Sequence, residues 1–184
     1  LSLVGATLFW GSSFVVMKDT LINVPTFYLL AIRFTLAGVL LALFGFKSLK
    51  SINKACLKHG LILGVLILTA YVSQTFGLLY TTPGKNAFLT TVYCIIVPFL
   101  YWVTAKRRPH KRNIIAALMG FLGIGLLSLE NDFTINYGDV LTIVSGFFFA
   151  CHIIALAKSA KECGVFQVTM LQFLFAGIIS LAFA

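Results

Sequence analysis

Apolar residues in this chain come as long runs rather than as the stripe of an amphipathic helix, and polar residues gather in the short gaps between them. Seven runs stand at about 1–17, 26–46, 60–80, 86–104, 113–129, 137–157 and 164–184. Each approaches the roughly 20 residues that an α-helix, rising 1.5 Å per residue, needs to cross the hydrocarbon of a bilayer. The pattern predicts an all-α, polytopic membrane protein. No low-complexity stretch or long linker divides it. A cleaved leader is the alternative for the first run, but Lys18-Asp19-Thr20 lacks the small residues of a cleavage site. The chain opens on Leu1 and its last run continues to Ala184, so a piece of a longer protein is expected.

The polar gaps differ in sign. Lys47, Lys50, Lys54 and Lys58 follow the second run, and Lys106, Arg107, Arg108, Lys111 and Arg112 follow the fourth. Short loops rich in Lys and Arg stay in the cytoplasm. The gaps after the first, third and fifth runs hold Lys18 with Asp19, then Lys85 alone, then Glu130, Asp132 and Asp139, which assigns them to the outside. This alternation suits a helical serpentine with a cytoplasmic N-terminus, and it is independent of hydropathy.

Composition agrees with that path. Hydrophobic residues make up 60% and charged residues 10%, at a mean hydropathy of +1.01, whereas a soluble domain carries about 25% charged residues to face water. The net charge of +9 sits in loops between apolar runs, so it is read as a topology signal and no nucleic-acid partner is expected. Cys56, Cys94, Cys151 and Cys163 show no CxxC spacing, and free, buried thiols without a disulfide framework are expected.

Shifted against itself by 139 positions without a gap, the chain pairs Phe9 with Phe148, Phe27 with Phe166, Phe34 with Phe173, Ala37 with Ala176, Gly38 with Gly177 and Phe44 with Phe183. The sixth and seventh runs thus repeat the first and second. Five runs, an odd number, separate the two starts, so the second copy enters the membrane from the opposite side. That is an inverted-topology repeat, which places a substrate site near the midplane between halves that rock around it. The expected organisation is a first repeat over 1–130 and the start of a second over 137–184, giving ten helices in full and about seven here.

With five-helix units in view, the chain resembles the EamA-type transporters of the drug/metabolite transporter superfamily. The resemblance rests on Leu8-Phe9-Trp10-Gly11-Ser12-Ser13-Phe14 with Lys18, Arg33, Gly77-Leu78-Leu79-Tyr80-Thr81-Thr82, Asn86-Ala87-Phe88-Leu89, Pro98, and Gly120 with Gly123-Ile124-Gly125. One departure stands out: the family often has a Glu at the cytoplasmic end of the fourth helix, where Lys106-Arg107-Arg108 lies here. The resemblance implies a multi-pass inner-membrane carrier, commonly an exporter of amino acids or related metabolites, with no prosthetic group. Its expected partners are a small-molecule substrate, the lipid bilayer and a second copy in a homodimer.

Arg33 lies about seven residues into the second run, roughly 10 Å below the outer edge. A cation there costs about 3 kcal/mol or more, so it should face a wet cavity or a partner. It is either a dock for a substrate carboxylate, which guanidinium grips bidentately, or an arginine snorkelling to the surface or to loop carbonyls. Its counterpart under the shift is Gln172, so the charge is one-sided. Asn86, Thr90, Tyr93 and Val97 form a polar stripe ending beside Pro98, which is expected to kink the fourth helix. Tyr71 and Gln74, Trp10 and Ser13, and His152 complete the candidate substrate-binding set, with Gln172 beside Arg33. Single hydroxyls more often make interhelical hydrogen bonds of about 0.6 kcal/mol, and His152 is either a proton shuttle or a hydrogen-bonded core residue. Gly60-x-x-x-Gly64 and Ala116, Gly120 and Gly123 should let helices approach closely.

No catalytic set appears: His59 and His110 lie in or beside basic loops, H-E-x-x-H is missing, and no metal site is expected. A seven-helix receptor, or another integral membrane protein without transport activity, is the alternative. It leaves the 139-residue repeat unexplained, and the seventh run lacks a lysine for retinal.

Overall fold

The computed structural model describes residues 2–45, 52–106, 108–128 and 136–184, and its elements are all helices. They are α1 (Ser2–Thr20), α2 (Thr26–Phe44), α3 (Lys54–Tyr80), α4 (Pro83–Thr90), α5 (Tyr93–Ala105), α6 (Lys111–Ser128), α7 (Tyr137–Cys163) and α8 (Val165–Ala182). The loop charges Lys47, Lys50, Arg107, Glu130 and Asp132 lie outside the described residues. Among the described residues five spans are long and apolar enough to cross a membrane, against about seven expected: α2, α3, α4 together with α5, α7 and α8, with α1 and α6 not among them. The protein is an all-α, polytopic membrane protein.

Local chemistry sets the helix ends. Asn53 accepts from the backbone N–H of Cys56 at 2.9 Å, and this cap starts α3 six residues before its apolar run. Thr82 caps α4, with Pro83 in the first turn where a missing N–H costs nothing. At the start of α7, Asn136 Oδ1 accepts from Asp139 N at 3.0 Å while Asp139 Oδ2 accepts from Asn136 N at 2.9 Å, a reciprocal capping box. Gly164 alone joins α7 to α8 at φ +82°, a conformation that disfavours side chains.

The fourth run is divided into two helices, α4 and α5. The interruption falls at Thr91–Val92, where backbone N–H groups of Thr91, Val92 and Cys94 bond three residues back. Thr90 and Thr91 turn their hydroxyls onto the carbonyls of Asn86 and Phe88, at 2.8 and 2.6 Å, and such bonding bends helices. Gly146 of α7 leaves room for Val92 at the break. Pro98 lies inside α5.

Two compact units emerge from the packing, residues 1–24 with 73–147 and residues 25–72 with 148–184, and α3 and α7 contribute to both. In the second unit α2 and α8 run antiparallel along their length. Phe27 meets Phe183 at 5.6 Å, and Gly45 lies against Phe166. A Cβ on Gly38 would stand 2.9 Å from Leu174 N, and one on Gly177 would stand 2.9 Å from Thr35 N. Leu174 follows Thr35, and Gly177 follows Gly38, by the same 139 positions, so these contacts are reciprocal. Phe34 stacks on its own counterpart, Phe173, at 5.9 Å. Gly60 and Gly64 admit Leu171 and Phe175 of α8 to the surface of α3, as their spacing predicts. The core is Leu30, Phe34, Ile67, Leu68 and Ala176.

Beyond the apolar runs, the same unit joins Cys56 of α3 to Cys163 of α7 in a disulfide, with Cα atoms 5.5 Å apart. This overturns the expected free thiols. The capped start of α3 and the six-residue extension of α7 carry both cysteines past the lipid-length runs and bring them together. His59, one turn from Cys56, is helical rather than part of a loop, and it bonds Glu162 at 2.8 Å and Ser159 at 3.0 Å. Cys94 and Cys151 are free, and Cys94 is exposed because α5 buries none of its residues.

In the first unit Lys18 belongs to α1 and not to an outer loop. Its Nζ donates to the carbonyls of Leu78, Leu79 and Thr81 at 2.6–3.1 Å, satisfying the end of α3. Gly77 and Gly138 let α3 and α7 touch main chain to main chain, with a Cβ on Gly77 only 2.8 Å from Gly138 O. Phe88 packs on Phe121 and against Gly125. Gly120 and Gly123 have nothing within 4 Å of a built Cβ, so the close approach expected there is not made among the described residues. They lie on a face of α6 that no described helix covers.

Candidate functional site

Two groups of the candidate residues are brought together, one in each unit. In residues 25–72 and 148–184, four helices converge on an aromatic set. Tyr71 of α3 meets Phe34 of α2 edge-on at 5.3 Å and Phe149 of α7 edge-on at 5.2 Å. Arg33 holds its guanidinium carbon 4.9 Å from the centre of the Tyr71 ring. Arg33 is half-buried. A cation over a desolvated ring gains about 2 kcal/mol, which offsets part of the cost of a charge at this depth.

One turn along α7 from Phe149, His152 bonds Gln172 of α8, Nε2 to Oε1, at 2.7 Å. Both are buried. With the glutamine oxygen as acceptor the imidazole donates from Nε2, a tautomer assigned from this network. Arg33 and Gln172 therefore stand on the two helices whose contacts are reciprocal, each next to a member of the Phe34–Phe173 stack. A cavity of about 240 Å³ in this unit is apolar, lined by Phe27, Leu68, Val72, Ile179 and Phe183 among others, and holds none of the candidate residues.

In residues 1–24 and 73–147 the polar candidates form one hydrogen-bonded set. Gln74 donates to Thr90 Oγ1 at 2.9 Å, and Asn86 donates to Gln74 O at 3.2 Å and Thr142 Oγ1 at 2.7 Å. Gln74, Asn86 and Thr90 are at most 2% exposed. Tyr93, on the far side of the helix break, is half-buried. Trp10 is 43% exposed, and Ser13 bonds the carbonyl of Trp10 at 2.6 Å within its own helix. Neither is drawn into the set.

Sequence reasoning missed Asp139. It is 1% exposed, pairs with Lys85 at 2.7 Å, and accepts from Thr81 at 2.9 Å. Lys85 is therefore paired rather than alone, and the pair brings the starts of α4 and α7 to the same end of this unit. Asn-x-x-Asp at 136–139 was the available signal, since a capping box fixes the carboxylate at a helix start. Thr142 and Ser145, one and two turns on, complete the polar face of α7.

Residues 1–129, about two thirds of the chain, match the EamA-like transporter family. The chain belongs to that family. Two uncharacterized transporters of Archaeoglobus fulgidus are similar to it, at 30% identity over all of the chain and 28% over 96% of it, covering 57% and 63% of their own lengths. An uncharacterized transporter of Bacillus subtilis, YoaV, is 23% identical over the whole chain and 65% of its own length. The chain thus spans roughly six tenths of these relatives. No solved structure matches. Among the EamA-type residues, Lys18 caps the end of α3 and Gly77 lets α3 meet α7.

Proposed function

We propose that the complete protein is an exporter of small zwitterionic or anionic metabolites such as amino acids. It works by alternating access between two inverted five-helix repeats in the inner membrane, with its N-terminus in the cytoplasm, and involves no covalent chemistry. One observation carries the substrate class: Arg33, a permanent cation, is held over Tyr71 at 4.9 Å where side chains of four helices converge. Arginine is costly at membrane depth and is kept there for the charge itself. A carboxylate is its natural ligand, because two parallel N–H donors match two oxygens. The reciprocal contacts of Gly38 with Leu174 and Gly177 with Thr35 support an inverted repeat, since a two-fold axis between α2 and α8 produces such a swap. Loop charges such as Lys54, Lys58, Lys111 and Arg112 support the orientation.

The test is amino-acid efflux by the complete protein, using a panel that includes aromatic amino acids. Arg33→Gln should abolish transport with expression and melting temperature unchanged. A well-expressed Arg33→Gln protein that exports at the wild-type rate ends the docking role.

A further inference from the structure

The buried polar set of residues 73–147 is unbalanced between donors and acceptors. Asn86 commits both of its Nδ2 hydrogens, to Gln74 O and Thr142 Oγ1. The hydroxyls of Thr90, Thr142 and Ser145 donate to the carbonyls of Asn86, Gly138 and Thr142. Gln74 gives one Nε2 hydrogen to Thr90, and its other meets no acceptor among the described residues. Against the hydrogens left on Gln74 Nε2 and on the buried, unpartnered hydroxyl of Thr75, Asn86 Oδ1 is fully buried and has no partner among the described residues. An amide oxygen offers two lone pairs, and leaving a buried acceptor unmatched is costly enough to require an explanation. The amide cannot simply be reversed. Gln74 O is a pure acceptor, so the atom 3.2 Å from it must be the nitrogen.

We infer that this set receives the donor end of the carried molecule, a primary ammonium, and turns away an anionic end. An ammonium brings three hydrogens to acceptors that lack them. A carboxylate would be desolvated against side chains that, among the described residues, have only the hydrogens of Gln74 Nε2 and Thr75 Oγ1 left to give, fewer than its lone pairs require. Asn86 is 0% exposed, so the ligand meets it when the packing of α3, α4 and α7 opens, as alternating access requires. The inference deepens the carrier reading and rests on it for the ligand being a transported molecule.

Binding, measured as thermal stabilisation of the purified complete protein, tests it without transport. Two probes share a phenyl ring: 2-phenylethylamine has the ammonium and no carboxylate, and 3-phenylpropionate has the carboxylate and no ammonium. Asn86→Leu should weaken the amine by about tenfold or more, the range of one charge-assisted hydrogen bond, and leave the acid within about twofold. Because Asn86→Leu also removes two interior hydrogen bonds, Thr142→Val is the second variant. It preserves shape, leaves Oδ1 in place and frees one Nδ2 hydrogen, so acid binding should strengthen by about tenfold, for one added charge-assisted hydrogen bond. Equal losses for both probes in Asn86→Leu, an unchanged acid affinity in Thr142→Val, or no stabilisation of the wild type by the amine overturns the inference. Absent efflux with this contrast intact refutes the carrier reading instead.

Discussion

A single methyl group added to Gly38 or Gly177 tests the packing of α2 on α8 and its internal symmetry together. Each built Cβ lies 2.9 Å from a backbone nitrogen of the facing helix, Leu174 in one case and Thr35 in the other. Carbon and nitrogen prefer about 3.5 Å, so the helices must separate by about 0.6 Å. The obstacle is main chain, and no rotamer change relieves it. Overpacking of this kind costs about 1–3 kcal/mol, while alanine's better helix propensity returns up to about 1 kcal/mol. Gly38→Ala and Gly177→Ala should therefore each destabilise by about 1 kcal/mol, with about 2 as the upper end, and by similar amounts because the contacts are reciprocal. Once one methyl has parted the helices the second meets a gap already open. The double variant should fall short of the sum by about 0.5–1 kcal/mol. Gly120, with nothing within 4 Å of its Cβ, is the control, and alanine there should be neutral or stabilising. Thermal and SDS unfolding of the complete protein in detergent micelles reads all four variants. Stabilisation by Gly38→Ala, strict additivity in the double variant, or an equal loss from Gly120→Ala would refute the reasoning.

The remaining outcomes concern the covalent and ionic ties. Alkylation in SDS should count two thiols before reduction, Cys94 and Cys151, and four after it; four without reductant contradicts the disulfide. Removing it in a Cys56→Ser, Cys163→Ser variant should cost about 2–4 kcal/mol, since it closes a long loop across 107 positions. Asp139→Asn leaves Lys85 without its carboxylate at a 2.7 Å contact where the two side chains are only 2% and 17% exposed. Losing one partner of a buried pair costs about 3–5 kcal/mol, and less here because Lys85 keeps some solvent. Adding Lys85→Met should recover part of that loss, and an Asp139→Asn protein that melts like the wild type would show the pair to be idle.

Hydropathy marked the spans because it measures what lipid demands, but it marks lipid thickness and not helix length. The caps at Asn53 and Asn136 set where α3 and α7 begin, and what those helices carry past the apolar runs was hidden from it. Cys56 and His59, and Ser159, Glu162 and Cys163, repeat at three- and four-residue spacing, so each group shares a helix face. Read in that way, the two faces match in chemistry across sequence. Loop charges, counted only by sign, concealed that Lys85 and Asp139 pair. Large polar residues at depth led to Gln74, Asn86 and Thr90, which hydrogen-bond across helices. Ser13 failed the same reasoning because a helical hydroxyl can satisfy itself three residues back. Pro98 drew attention from Thr90 and Thr91, which have no comparable reputation as helix breakers yet stand at the interruption.

The reciprocal packing of α2 and α8 bears directly on the one-sided charge. If the two repeats exchange conformations during transport, Thr35 and Leu174 can trade environments, as can Gly38 and Gly177, because their contacts are already images of one another. Arg33 and Gln172 cannot trade in the same sense. One is a permanent cation over Tyr71 and the other a neutral amide bonded to His152. A cycle built on a symmetric backbone but an asymmetric charge passes between two states that differ in affinity for an anion, whereas a fully symmetric site would bind equally well facing either way. Such a difference would favour uptake of the ligand on one side and its release on the other, because a ligand shifts two states only by its differential affinity for them. In the proposed cycle, Arg33 and Gln172 thus make the two states unequal toward an anion.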